Sequence, residues 1–197
     1  MSAFEATGRF LKRAEQVVTG IINRGWDRGG NGQGDGPGGV RWHVDPNKSS
    51  NSRNACSTLS VAVLACRLAL LNVQREYCSQ LAASCIAFSN KHLLAQEDGL
   101  VIDNLSMRTQ RDAVGVESVS WVGEQTKWTY NTGFAIHAYT LWAQVSGEEQ
   151  WLGKAIEMAL KAVDQEGALF DRTVEEAGRR VWWYVALQVT SVLGTAG

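Results

Sequence analysis

The sequence predicts an all-α fold: an incomplete α/α toroid of about three helical hairpins, with an inner and an outer helix layer, forming one partial domain over residues 1–197. Three observations carry this. Helices that are apolar almost all round alternate with helices that are apolar on one side only, and the first kind must be buried on every side. The units also repeat. Phe10, Tyr77 and Trp151 each open an amphipathic helix, at offsets of 67 and 74 residues, and each is followed four residues later by Ala14, Leu81 or Ala155. Finally, the long polar loops all precede the apolar helices, so they gather on one side of the stack.

The elements follow in order. Phe10, Ala14, Val17 and Ile21 form one face of a first helix over residues 2–23, which Gly25 ends. Residues 28–39 are a loop: seven of the chain's 20 glycines lie between Gly29 and Gly39. The segment 40–44 is strand-like. A second helix, residues 55–71, carries Leu59, Val61, Leu64 and Leu68 with no polar face. A mixed third helix covers 75–94. Leu100-Val101-Ile102 is strand-like, and 103–131 is read as a long loop. A fourth helix over 132–145 is apolar, a fifth over 148–163 amphipathic, and an apolar sixth is expected over 181–193 after a strand-like Ala168-Leu169-Phe170. A closed ring of six such hairpins needs well over 300 residues at this unit length. The chain opens and closes within the pattern and is expected to cover an internal part of it.

Composition narrows the function. Nineteen basic against 20 acidic residues give a net charge of −1, whereas nucleic-acid domains concentrate basic charge on one face. No run of 18 apolar residues exists, so no membrane span is expected, and the first residues lack the basic and apolar regions of an export signal. Cys56, Cys66, Cys78 and Cys85 show no Cys-x-x-Cys spacing and sit in apolar helical patterns, where cysteine acts as a small buried hydrophobe. His43, His92 and His137 have no metal spacing, and His137 reads as a hydrogen-bonded core histidine. Gly32, Gly34 and Gly36 lack the Lys-Ser/Thr of a phosphate loop.

The loops carry recognisable phrases in one order. They are Gly25-Trp26-Asp27, the Gly-rich loop, Gly38-Gly39-Val40-Arg41-Trp42, Lys48 followed by Asn54-Ala55-Cys56-Ser57, Gly99 to Asp103, and Lys127-Trp128-Thr129-Tyr130-Asn131-Thr132-Gly133. Together, over roughly residues 10–185, they resemble glycoside hydrolase family 76, the α-1,6-mannanase and transglycosidase family. The resemblance implies an (α/α)6 barrel, retaining cleavage or transfer at α-1,6-mannosidic bonds, no metal or organic cofactor, and an extracellular or cell-wall setting. It also implies two adjacent aspartates as nucleophile and acid/base, expected upstream of the helix that contains Phe10. No Asp-Asp pair occurs in these 197 residues, so no catalytic role is assigned to any residue.

Sugar contact remains. Trp42, Trp128 and Tyr130 offer flat apolar faces to pyranose rings, and Asn54, Asp103, Asn104 and Asn131 offer hydrogen bonds to hydroxyls. Each has a structural alternative: loop anchoring for Trp42, a turn or cap for Asp103, N-capping for Asn54 and Asn131. Trp142, Trp151, Trp182 and Trp183 lie in helices and are expected to pack. The expected partner is α-mannan or a mannose-containing oligosaccharide. A non-catalytic truncated paralogue or gene-model fragment with at most weak carbohydrate binding is the alternative, and a helical scaffold for protein a third reading. Exposed sides of the inner helices are expected to drive self-association.

Overall fold

The computed structural model describes residues 3–27, 38–43, 45 and 52–163. Five helices dominate them: α1 (Ala3–Gly25), α2 (Ala55–Leu70), α3 (Arg75–His92), α4 (Thr129–Ser146) and α5 (Gln150–Val163). A small antiparallel sheet joins them, in the order β1 (Arg53–Asn54), β2 (Ile102–Arg111), β3 (Glu117–Lys127). The predicted strand at 168–170 and sixth helix at 181–193, with Trp182 and Trp183, lie outside the described residues.

The layering follows from the helix faces. The apolar α2 packs on α3 and α4, and α4 packs on α5. Leu59, Leu68, Ile136 and Tyr139 are almost fully buried between them. The flanking α1 and α5 keep one wet side, with Phe10 and Leu160 exposed. Trp142 and Trp151 pack against the core as expected, and the Tyr139 hydroxyl reaches Asn90. All four cysteines are free. Burial pushes the Cys66 thiol up to about 12 and raises Cys85 as well, so both behave as inert apolar groups.

Two readings of the sequence are corrected. Residues 103–131 are not a loop: most of them form the β2–β3 hairpin, with the register Leu105↔Gly123 and Met107↔Trp121. Its turn is closed by Asp112, whose Oδ1 accepts from the Val114 and Val116 amides at 3.0 and 2.8 Å, with Gly115 at φ 88°. The second correction concerns Asn131. The helix α4 starts at Thr129, so Trp128 holds the N-cap position and Asn131 lies inside the first turn. Asn54 does cap α2, accepting from the Ser57 amide at 3.3 Å.

The short segments between α1 and α2 are held by one buried ion cluster. Asp27 is fully buried. Its Oδ2 accepts from Arg53 Nε at 2.9 Å and also from Arg53 Nη2, and its Oδ1 accepts from Arg41 at 3.4 Å. The Arg53 guanidinium lies 4.8 Å from the Trp121 ring centroid on β3, a cation–π contact. One side chain thus fixes the chain after α1 to β1 and to the hairpin. Asp27→Ala leaves that buried guanidinium without its carboxylate, so it is expected to lose about 3–5 kcal/mol in denaturant unfolding. Adding Arg53→Met should restore a large part of the loss; no recovery would mean that Asp27 acts through something other than this pair.

His137 sits on α4, 9% exposed. Arg67 Nη2 lies 3.1 Å from its Nε2. Arginine can only donate, so Nε2 accepts and the ring is neutral. Burial, then the Arg67 charge, pushes its pKa down to about 4. The unfolded chain binds this proton near pH 6.5 and the folded chain does not. The contribution is therefore intact above pH 6.5 and drains away as pH falls toward 4, by about 3 kcal/mol. Unfolding midpoints measured from pH 7.5 to 4.5 should fall less steeply in His137→Gln than in the parent; parallel curves would rule out His137 as the source.

Candidate functional site

The site forms where the N-terminus of α2, the root of the hairpin and the N-terminus of α4 converge. The sheet register places the first residues. Asn54 on β1 stands directly opposite Asn104 on β2, and residues directly opposite share a face of the sheet. Asp103 precedes Asn104, at an irregularity in the β2–β3 register between Ile102 and Asn104. Asn131 arrives from the first turn of α4.

Asp103 is the hub. Its Oδ1 accepts from Asn131 Nδ2 at 3.1 Å and from Asn54 Nδ2 at 3.4 Å. Its Oδ2 accepts from Asn104 Nδ2 at 3.0 Å. Four residues singled out in the sequence across 77 positions therefore form one cluster. Three neutral amides surround the carboxylate, which fixes both of its oxygens. Asn131 is completely buried and its Oδ1 has no hydrogen-bond partner among the described residues. A buried carbonyl oxygen in that state leaves a lone pair for water or a ligand hydroxyl.

Beside the cluster an open cleft of about 350 Å³ is lined by Trp42, Asn54, Asp103, Asn104 and Tyr130, together with Ser52 and Cys56. Trp42 is 55% exposed. Trp128 and Tyr130 stack with centroids 6.1 Å apart and planes 13° from parallel. Both are partly exposed, and Tyr130 faces the cleft. The stack is anchored next door: Lys127 Nζ bonds Glu97 at 2.6 Å and Asp98 at 2.7 Å, tying the end of β3 to the turn after α3.

The electrostatics are simple. Burial, then the neighbouring Asp103 charge, raises the Tyr130 hydroxyl. Burial also raises the Cys56 thiol, with Asp103 adding to it. Both stay protonated at neutral pH and present donors. Among the described residues no group of three His, Cys, Asp or Glu side chains could hold a metal. None of the helices searched among them is long and apolar enough to cross a membrane. Sequence reasoning missed Ser52 and Cys56 in the cleft, and also the Asp27–Arg53–Trp121 cluster that carries β1. The loop phrase containing Asp27 was legible; its pairing with Arg53 was not.

Comparison with known proteins fits the helical fold. The Meiotically up-regulated gene 191 protein of Schizosaccharomyces pombe is 29% identical over 185 residues, covering 88% of this chain and 38% of that protein. Among solved structures, an inactive variant of the α-1,6-mannanase of Salegentibacter sp. HEL1_6 has two consecutive aspartates replaced by asparagine and is in complex with α-1,6-mannotriose. It superposes with a TM-score of 0.64 at 27% identity, covering 83% of this chain and 43% of that one. A family 76 glycoside hydrolase from a bovine Bacteroides thetaiotaomicron strain gives 0.61 at 26% identity, over 77% of this chain and 29% of that one. The chain thus spans less than half the length of these relatives. The family model for glycosyl hydrolase family 76 matches residues 1–182, and the chain belongs to that family.

Proposed function

We propose that this chain binds α-1,6-linked mannose oligosaccharides in the cleft at Asp103. The observation that carries the reading is the Asp103 cluster: a fixed carboxylate among three amides, with aromatic faces alongside. Sugars have this dual character. Their hydroxyls need paired donors and acceptors, and their C–H faces pack on aromatic rings. Asp103 and Asn104 take hydroxyls, with Asn54 and Asn131 holding the carboxylate in place. Trp42 and Tyr130 cover the ring, and Trp128 backs Tyr130. The complex of a related mannanase with α-1,6-mannotriose supports the choice of sugar.

The same residues supply binding rather than bond cleavage. Retaining hydrolysis or transfer needs two carboxylates flanking the glycosidic bond. The related mannanase is inactive when its two consecutive aspartates are replaced, and these 197 residues contain no such pair. The reading is therefore of a carbohydrate-binding part of a mannan-acting glycoside hydrolase, with cleavage dependent on carboxylates outside this sequence. The same absence favours the alternative of a non-catalytic paralogue, and both predict sugar binding without turnover.

Titration of the chain with α-1,6-mannotriose, followed by calorimetry, should show saturable binding with no mannose released. Asp103→Ala should weaken it at least about tenfold, as expected when a charged hydrogen-bond partner is removed. No binding by the parent chain, or an unchanged affinity in the variant, would overturn the assignment; released mannose would overturn the division between binding and cleavage.

A further inference from the structure

The apolar face of α1 is only partly covered. Phe10, Ala14, Val17 and Ile21 share that face by their spacing, yet Phe10 is 67% and Val17 40% exposed. Beside it, an open groove of about 540 Å³ runs between α1 and α2. Val17, Ile21, Val40, Val61 and Leu64 give it an apolar wall, and its two arginines, Arg24 and Arg41, stand at the Gly25 end. A helix with an apolar stripe needs something packed along it. The packing order shows which end of the molecule this is. Helix α1 packs on α2, α2 on α4, and α4 on α5. The groove lies at one end of that row and α5 at the other.

We infer that the groove takes a second copy of this chain, through the stretch 181–193 of that copy, and that two copies close one ring. The inference stands apart from the reading of the cleft. Composition is its first support. The stretch 181–193 holds Trp182, Trp183, Tyr184, Leu187 and Leu193 and carries no charged residue. An aliphatic wall suits such a segment, whereas a charged one would lose its hydration there. Sequence order is the second. The apolar helices α2 and α4 are neighbours, and 181–193 is the next apolar stretch after the amphipathic α5. Its place in the repeat is therefore beyond α4, away from the α2 of its own chain, so it meets an α1–α2 groove only on another copy. Number is the third. The repeat supplies three outer–inner helix pairs per chain, and the chain covers 43% of the length of the related mannanase. Two copies supply the six pairs of a closed ring. A two-fold pair fills both grooves at once and leaves no open end.

Sedimentation equilibrium of the 197-residue chain tests the pair. The mass should be twice the 21.5 kDa of one chain. Val17→Glu places a carboxylate against the apolar wall and should weaken pairing at least about tenfold. Val17 is already part exposed, so the helices are retained, and far-ultraviolet dichroism checks this. Chains carrying Val17→Cys and chains carrying Leu187→Cys, mixed and oxidised, should link to one another above the background of the parent. A parent of single-chain mass would overturn the pair, and so would a mass that keeps growing with concentration, the mark of contacts that do not close. A Val17→Glu chain that pairs as tightly as the parent would overturn the groove as the contact. A chain carrying both cysteine replacements that links only within itself would show the groove filled by its own 181–193 and would overturn the second copy as occupant.

Discussion

The architecture depends on one constraint: α2 must bury a broad apolar face. Ala55, Leu59, Ala62, Ala65 and Cys66 are all at 0% exposure on that face, while Ser60 and Leu64 are half-buried and Arg67 is exposed on the side turned away. Such a face is stable only when it is covered. Enclosure by α3 and α4 sets the directions of both hairpins, and the connections that precede α2 and α4 must then emerge on one side. That is why Asn54 and Asn131, far apart in sequence, reach the same carboxylate. The site is a by-product of burying α2.

A second constraint then acts on the rim. The chain before α2 has few apolar residues, so ordinary packing cannot fix it. Charge does so instead. Asp27 is fully buried with Arg53 and Arg41, and burial pushes Arg53 down while Asp27 opposes it. Paired buried charges have one good geometry and poor alternatives, since separating them strands a charge in the interior. Trp121 closes the stack from the hairpin side. Gly39 belongs to the same arrangement: at φ 82°, its Cα lies where any Cβ would stand 2.6 Å from the Phe88 ring. The loop therefore presses closely on α3 and carries Val40 to the core and Trp42 to the cleft.

These facts explain what the sequence revealed and what it hid. The helices were legible because their signal is periodic and local, and the inner and outer roles followed from the width of the apolar face. Asn54 as a cap was legible because the side-chain bond spans three residues. Asn131 misled, because its apparent capping position lies two residues inside a helix that begins at Thr129. The hairpin was hidden in part by its polarity. Its alternation is carried by Leu105, Met107 and Trp121 with Ser, Arg and Thr between, and one aromatic across the two strands is a thin period-2 signal. The site residues were each found one at a time, through their chemistry. Their common centre was not, because hydrogen bonds between residues 49 and 28 positions apart leave no local trace.

The protonation pattern of the cleft bears on what its residues can do. General acid–base work needs two groups that hold different protonation states near neutral pH. Around Asp103 the other titratable groups at the cleft are Tyr130 and Cys56, and the surroundings raise both. Neither gives up its proton at neutral pH, and the three asparagines have none to exchange. Among the described residues that line the cleft Asp103 is the one acidic side chain, and amides already orient its two oxygens. A group so held is preorganised to accept donors of fixed position, which on the proposed reading are sugar hydroxyls. Retaining cleavage would require a second carboxylate placed across the bond, and the described residues that line the cleft supply one, Asp103.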